Sequence, residues 1–400
     1  MSKKAADRDS SRRLVRIAPI VRGLLAEPTG EPDMPYEPVI VRSLTSREAV
    51  DFAGSAENAE SQYYPPPLTK GQKPPLFTEA VEVDGLAEGL REQLSQDISD
   101  YSSRHNCKPE IVCLREMGIL YVEQKDDDGA AHLPLRNKVA LVTGAAGAIG
   151  YGICRGLLEK GCYLAATDLP GDKLDSFTDD LRQVAGDRVM GTAIDVTNKE
   201  SVVGGFESVI QTWGGIDIVV VNAGIPLVAR LKDIDLDAFR KLEKVNVEGT
   251  LLTLSEIANH FILQGTGGDI IIVSTKNVPS PGAGFGAYSA TKAAAHQLGR
   301  IASIELAQYG VRVNMVAPDG VFSEGKYKSG LWAEVGPDRM RARGLDEEGL
   351  QEYYQNRNLL KAKITGRHVS NAVLFFATRQ TPTTGVTIPV DGGLPDATPR

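Results

Sequence analysis

Short apolar runs recur at regular intervals through the last two thirds of the chain. They occupy residues 139–143, 163–167, 189–194, 216–221, 270–274, 311–316 and 386–390. The segments between them are long enough for helices, and continuous apolar runs are typical of strands that are covered on both faces. This alternation predicts an α/β fold with a doubly wound parallel sheet.

The first third of the chain has a different pattern, with many prolines and shorter apolar segments. Its predicted pieces are a strand at 39–41, a helix opened by a capping box of Thr45 and Glu48, a helical stripe from Leu86 to Tyr101, and strands at 111–114 and 118–122. These pieces predict a small α/β unit.

The change of pattern divides the chain into three parts. We expect a flexible, solvated tail at 1–19, a small non-catalytic α/β appendage at 20–135, and a larger domain at 136–400. The acidic stretch within 125–134 is the predicted boundary, because prolines concentrate before it and glycines after it.

Composition narrows the class of protein. Of the 400 residues, 42% are hydrophobic and 24% are charged, as in ordinary globular proteins. The net charge of −8 and the lack of a dense basic patch argue against a nucleic-acid partner. No apolar stretch is long enough for a membrane span, and the histidines and four cysteines show no metal-site spacing. We therefore expect a cytoplasmic protein with reduced thiols, without a metal or a membrane partner.

A glycine-rich turn follows the first strand of the larger domain. Its predicted cofactor-binding residues are Gly144, Gly147, Ala148, Ile149 and Gly150. Small residues let a pyrophosphate approach the backbone, and the N–H groups of the following helix would bind it. Asp168, at the end of the second strand, would accept hydrogen bonds from a ribose and repel a 2′-phosphate. A tight turn and a helix cap explain these residues singly, but together they favour NAD.

Further polar residues follow the third and fourth strands. They belong to two segments, Asp195-Val196 and Asn222-Ala223-Gly224. The carboxyl ends of parallel strands form the edge at which open α/β sheets bind ligands, although Asn and Gly also simply make turns. We include all five residues in the predicted cofactor site.

Tyr288 and Lys292 are the main candidates for catalysis. Their spacing puts both on one helix face. A positive charge near a phenol favours phenolate and lowers its pKa, so Tyr288 could exchange a proton near neutral pH. Thr275, after the fifth strand, offers a hydroxyl to a substrate oxygen, and Ser274 is the alternative donor.

These motifs occur in the same order as in the short-chain dehydrogenase/reductase family, which the chain resembles. Asn246 and the pair Asn314 and Pro318 belong to the same pattern. The resemblance implies a Rossmann-type fold in which Tyr288 exchanges the proton and Lys292 also binds the nicotinamide ribose. It further implies that Thr275 orients the substrate, Asn246 holds a water in a proton relay, and Pro318 lies at the cofactor. A homotetramer or dimer is implied too. Ala148, Thr275 and Asp319 depart from the usual residues of the family.

A narrower likeness rests on Ser274 to Asn277, Pro318-Asp319 and the ending at 390–395. These segments are similar to the dehydrogenase half of bifunctional rhamnulose-1-phosphate aldolase/lactaldehyde dehydrogenases. The first third faintly resembles the last part of the aldolase. Since only His105 and His132 precede residue 136, we expect a remnant without aldolase activity.

The predicted substrate is a small hydroxylated aldehyde, ketone, sugar or polyol. Lys276, Asn277 and Asp319 are its predicted contacts, because they follow the strands that carry the catalytic groups. Residues 323–361 would form a lid. Its arginines could bind a carboxylate or phosphate of the substrate, but the acidic residues around them favour a solvated, salt-bridged surface. The alternative function is a dinucleotide-binding regulator or scaffold whose first segment recruits a partner.

Overall fold

The computed structural model describes residues 3–71, 73–79, 87–123, 133–323, 325–327, 329, 332 and 336–395. Within this part of the chain, no helix combines the length and apolar character that a membrane crossing requires.

In the larger unit, helices and strands alternate as the apolar runs predict. The helices are α1 (Lys3–Leu25), α2 (Arg47–Ala53), α3 (Ala87–His105), α4 (Ala148–Glu159), α5 (Asp172–Ala185), α6 (Lys199–Trp213), α7 (Leu236–Glu243), α8 (Gly249–Gln264), α9 (Gly286–Glu305), α10 (Gly336–Arg343), α11 (Glu347–Asn356) and α12 (Gly366–Ala377). The strands are β1 (Glu27–Pro28), β2 (Tyr36–Glu37), β3 (Val41–Leu44), β4 (Leu76–Thr78), β5 (Ile111–Leu114), β6 (Gly118–Val122), β7 (Val139–Val142), β8 (Tyr163–Asp168), β9 (Val189–Ala193), β10 (Ile218–Val221), β11 (Gly268–Val273), β12 (Val311–Pro318) and β13 (Thr387–Val390).

The larger of two compact units comprises residues 130–206, 217–259 and 267–400. Its seven strands are all parallel and lie in the order β13-β12-β11-β10-β7-β8-β9. The prediction of a Rossmann-type doubly wound sheet is confirmed. The strand order reverses between β7 and β10, and in such sheets the crevice at this point receives the ligand.

Close packing of α4 against α12 covers one face of the sheet. A Cβ atom on Gly152 would lie 2.2 Å from the carbonyl carbon of Gly366, and one on Gly156 would lie 2.0 Å from Ser370 Oγ. Only glycine allows this approach, which buries Ile153, Leu157 and their neighbours in the main core. The packing holds the first turn of α4 at the end of β7.

The smaller unit comprises residues 1–129, 207–216 and 260–266. Its four-stranded sheet has the order β3-β6-β5-β4, with β4 parallel to β5 and the other pairs antiparallel. The predicted stripe forms α3, with Leu94, Ile98 and Tyr101 buried, while Leu86 lies outside the described residues.

Two local predictions in this unit differ from the structure. The N-cap of α2 is Ser46, whose hydroxyl accepts from the N–H of Ala49, and not Thr45. The stretch 1–19, predicted as a solvated tail, belongs to α1 from Lys3 onward, because Leu14, Ile17 and neighbouring apolar residues pack into a core. The predicted boundary within 125–134 lies almost entirely outside the described residues.

Candidate active site

A cleft of about 860 Å³ opens at the carboxyl ends of the parallel strands in the larger unit. It brings together residues from widely separated parts of the sequence. The predicted site residues that line it are Gly144, Gly147, Ala148, Ile149, Gly150, Asp168, Asp195, Val196, Asn222, Ala223, Gly224, Thr275, Lys276, Asn277, Tyr288, Lys292, Pro318 and Asp319. Asn246 lies behind the wall of the cleft, against Gly224.

The glycine-rich turn has a backbone that requires glycine. Gly144 has a φ of +59°, and a Cβ on it would lie 2.7 Å from the Cα of Ala223. The side-chain amide of Asn222 donates to the carbonyls of Thr143 (3.0 Å) and Gly144 (2.7 Å). In this structure Asn222 therefore fixes the turn from the neighbouring strand.

The first turn of α4 presents backbone N–H groups that no side chain caps. Its N-cap is Gly147, where an added Cβ would meet only open space, and the turn contains no acidic residue. An anion is stabilised at such an end by the N–H groups and the helix dipole. The turn, the open space and the cleft beside it fit the pyrophosphate of a dinucleotide.

Asp168 lies at the end of β8 with its carboxylate beside this turn. Its oxygens accept hydrogen bonds from the N–H groups of Ala146 (2.9 Å) and Leu169 (2.9 Å), and Lys173 Nζ is 3.9 Å away. A carboxylate has further lone pairs, so it can also accept from a ribose. Asp195 uses one oxygen to accept from the N–H and the hydroxyl of Thr197 at 2.9 Å and 2.7 Å.

Tyr288 and Lys292 line the same cleft from α9. Burial raises the pKa of Tyr288 to about 12, and a hydrogen bond with the Thr275 hydroxyl opposes this shift. Burial also lowers the pKa of Lys292 to about 8, and its ammonium donates to the Val273 carbonyl at 2.9 Å. Burial is the largest cause of the Tyr288 pKa shift, and the predicted lowering of that pKa by the Lys292 charge stays a prediction.

The structure separates the two candidate hydroxyls. The Thr275 side chain acts on the pKa of Tyr288, and its hydroxyl accepts from the N–H of Asn277 at 3.3 Å, whereas Ser274 Oγ lies 2.9 Å from His296 Nδ1. Both residues line the cleft. Thr275 is therefore the hydroxyl placed to share a substrate oxygen with Tyr288.

Asn246 occupies a single turn of π-helix between α7 and α8. Its side-chain oxygen accepts from the N–H of Ile225 (2.9 Å), and its amide donates to the Ile225 carbonyl (3.0 Å) and Thr291 Oγ1 (3.2 Å). A Cβ on Gly224 would lie 3.1 Å from Asn246 Oδ1 and 3.3 Å from Lys292 Nζ. The glycine leaves room for both polar groups.

The predicted substrate contacts lie at the other end of the cleft. Within the described residues, Asn277 is 6% exposed and its Oδ1 has no hydrogen-bond partner, so a hydroxyl or amide of a ligand would satisfy it. Lys276 Nζ donates to the Ser280 carbonyl at 3.3 Å. Asp319 forms an ion pair with Arg357, whose Nε is 3.0 Å from Asp319 Oδ2.

Two arginines line the substrate end of the cleft, and the sequence did not show which arginines would do so. Arg357, which no motif indicated, lines the cleft as the partner of Asp319. Arg339, which we assigned to a solvated surface, also lines it, because α10 turns this residue inward while Arg343 stays exposed. A buried aspartate requires a cation nearby, but the sequence offers several arginines and does not indicate which one.

Comparisons with known proteins identify the family. A family model described as short chain dehydrogenase matches residues 138–332. Glucose 1-dehydrogenase of Gluconobacter oxydans is 30% identical over 258 residues, which are 64% of this chain and 91% of that enzyme. The crystal structure of sorbitol-6-phosphate 2-dehydrogenase from Erwinia amylovora superposes with a TM-score of 0.59 at 28% identity, covering 64% of this chain and 98% of that one.

A further relative is much longer than the part that aligns. The uncharacterized oxidoreductase YuxG of Bacillus subtilis is 34% identical over 265 residues, which are 66% of this chain but only 38% of that protein. The first third of the present chain lies largely outside the residues that the family model matches. On these similarities, the chain belongs to the short-chain dehydrogenase family of oxidoreductases.

Proposed function

We propose that the protein is an NAD-dependent dehydrogenase that transfers hydride between a small hydroxylated substrate and the nicotinamide. The observation that carries this proposal is that Tyr288, Lys292 and Thr275 line one cleft, with the Thr275 side chain close enough to Tyr288 to lower its pKa. A sugar, polyol or hydroxyaldehyde is the proposed substrate class, and the names of the glucose and sorbitol-6-phosphate enzymes among the relatives support it.

The chain's own groups would handle the proton. Thr275 would donate a hydrogen bond to the substrate oxygen, and Tyr288 would give that oxygen a proton or take one from it. A protonated Lys292 favours the tyrosinate form by charge, and Asn246 would anchor the water that connects Lys292 to solvent. When bound, the dinucleotide supplies the carbon that accepts or gives the hydride.

NAD is the proposed cofactor rather than NADP because of Asp168. Its carboxylate stands at the end of β8 beside the first turn of α4, where a 2′-phosphate would be repelled. No Lys or Arg occurs between Gly144 and Gly150 to offset that repulsion. The cofactor roles of the other glycine-rich residues belong to the same proposal.

Assembly, location and the first third of the chain remain proposals. Exposed apolar residues on α8 and α9, namely Leu251, Ile301 and Ile304, support a homotetramer or dimer that buries these helices. We retain a cytoplasmic location and a non-catalytic, aldolase-like appendage at 20–135 as predictions. The comparisons do not support a relationship between the first third of the chain and aldolases, and they do not support the regulatory alternative.

The test is a substrate panel with NAD, in which NADH formation is followed by absorbance. Tyr288→Phe should reduce kcat by about 10²- to 10⁴-fold, because the general acid-base group is lost. NAD binding, measured by fluorescence titration, should stay close to that of the unaltered protein. Dinucleotide binding without turnover of any polyol, sugar, sugar phosphate or hydroxyaldehyde would instead favour the regulatory alternative.

A further inference from the structure

Three basic side chains line the substrate end of the cleft. They are Lys276, Arg339 and Arg357. Burial lowers the pKa of Lys276, the positive charges of Arg357 and Arg339 lower it further, and Asp319 and Asp391 act against them. Both arginines are therefore close enough to Lys276 to act on it electrostatically.

One of these cations is already neutralised. Arg357 forms a two-pronged ion pair with Asp319, both side chains being largely buried, and its guanidinium lies 4.1 Å from the ring centroid of Tyr354. Planar guanidinium groups match carboxylates in this geometry. Arg357 is thus paired with Asp319, and Lys276 and Arg339 are the cations that remain for a ligand.

Arg339 is held in place without a carboxylate. Its guanidinium carbon lies 4.4 Å from the ring centroid of Phe285, and its Nε is buried with no hydrogen-bond partner among the described residues. Within the same residues, neither Arg339 nor Lys276 forms an ion pair. A buried donor on a fixed cation is costly unless a ligand satisfies it.

Phe285 lies next to both Arg339 and Tyr288. The ring of Phe285 lies 6.0 Å from that of Tyr288, so two short contacts connect the guanidinium to the proposed catalytic phenol. Asn277, with its unpartnered oxygen, follows Lys276 in the chain and lines the same cleft. One molecule could therefore reach the phenol with its carbinol and the cations with its other end.

We propose that Lys276 and Arg339 bind an anionic group of the substrate, at the end away from the carbon that exchanges hydride. This inference rests on the proposed function and specifies its substrate class. Two positive charges correspond to a phosphomonoester, which carries about −1.5 to −2 charges at neutral pH, more closely than to a carboxylate. The shared chemistry is an oxyanion that accepts hydrogen bonds from a guanidinium and an ammonium.

The test compares a polyol with its phosphomonoester and with the aldonate of the same chain length. The phosphomonoester should have the highest kcat/KM, and an advantage of the aldonate instead would assign the subsite to carboxylates. Arg339→Ala should raise KM for the anionic substrate by about 10- to 100-fold, since a hydrogen bond to a charged group is lost. Arg339→Lys should restore part of the loss.

Arg343→Ala is the matched control. Arg343 lies one turn further along α10, is exposed, and stacks on the ring of Tyr353 at 4.1 Å. Its replacement should leave the preference for the anionic substrate in place. Equal effects of the two alanine substitutions, or preference of the unaltered protein for the neutral polyol, would overturn the subsite.

Binding measurements keep this test separate from that of the proposed function. Calorimetric titration of the unaltered protein with the phosphomonoester, in the presence of NAD, should show binding that Arg339→Ala weakens and Arg343→Ala does not. Binding without turnover would refute the dehydrogenase proposal and leave the subsite supported. Turnover of neutral polyols alone, with no binding of the phosphomonoester, would refute the subsite and leave the dehydrogenase proposal supported.

If Arg339→Ala does not fold, competitive inhibition of the unaltered protein by inorganic phosphate decides, and its absence would count against the subsite.

Discussion

Lys292 should reduce the stability of the fold while it serves the proposed reaction. Its side chain is only 7% exposed, and burial lowers its pKa from 10.5 to about 8. At neutral pH the ammonium is therefore charged in a place that favours the neutral amine. Lys292→Met keeps a similar unbranched shape and removes that charge, so we expect a more stable and inactive protein.

The magnitude follows from the fall of the Lys292 pKa from 10.5 to about 8. At about 1.36 kcal/mol per unit, charging the buried amine costs about 3 kcal/mol. The Val273 carbonyl loses its hydrogen bond in the variant, which costs about 1 kcal/mol. Lys292→Met should thus gain about 2 kcal/mol in the free energy of unfolding at pH 7.

The sign of the pH dependence is fixed by the direction of the shift. Between pH 8 and 10.5 the unfolded chain binds more protons at Lys292 than the folded one, so stability rises with pH there. Below pH 8 the cost is fully present. The advantage of Lys292→Met should accordingly shrink by about 2 kcal/mol from pH 7 to pH 10. Tyr288, whose pKa burial raises to about 12, stays protonated in both folded proteins up to pH 10 and does not contribute to the difference.

Urea unfolding of both proteins at pH 7, 8, 9 and 10, followed by circular dichroism, measures the difference directly. At pH 7 the midpoint of the variant should be higher by about 1 M. A variant that is equally stable or less stable at pH 7, or a difference that stays constant up to pH 10, would refute the argument that the charged Lys292 is buried at a net cost to stability.

Two further predictions concern the cofactor end and the space around the catalytic groups. Asp168→Asn should raise the ratio of kcat/KM with NADP to that with NAD by about tenfold or more, because the repulsion of a 2′-phosphate is removed; an unchanged ratio in steady-state assays would exclude that role. Gly224→Ala places a Cβ 3.1 Å from Asn246 Oδ1 and 3.3 Å from Lys292 Nζ, so kcat should fall by about tenfold or more. Gly204→Ala, whose Cβ would meet no atom within 4 Å, is the control, and equal kcat values for the two variants would contradict the explanation.

The sheet was the most predictable part of the fold. Strands buried on both faces, as β7, β10 and β11 are, need continuous apolar runs. Such runs are visible in the sequence without knowledge of the partner strands. The ends of β7 and β8 then place the glycine-rich turn and Asp168 at one edge. Because parallel strands share one direction, chain order and strand ends were enough to predict which residues meet there.

The smaller unit was predictable only in pieces. Its strands β5 and β6 begin and end where the apolar runs do, but α1 replaces an expected tail. The basic residues before Leu14 suggest solvent exposure, and only contacts made after folding show that the following apolar face is covered. The basic residues therefore led to a wrong prediction, because the helical structure of this segment depends on apolar contacts with residues distant in the sequence.

Electrostatic pairing explains why the sequence did not indicate which arginines line the substrate end of the cleft. Many charged residues lie between 323 and 361, and counting them predicts a solvated surface. In the structure these arginines have different surroundings. Arg357 forms an ion pair with Asp319, Arg339 lies over the ring of Phe285, and Arg343 is exposed. The free energy of a buried charge depends on its neighbours in space and not in sequence. A departure from the family pattern at position 319 is thus better explained as the partner of Arg357 than as a direct substrate contact. In the proposed subsite, Lys276 and Arg339 therefore bind the end of the substrate that lies away from the reacting carbon.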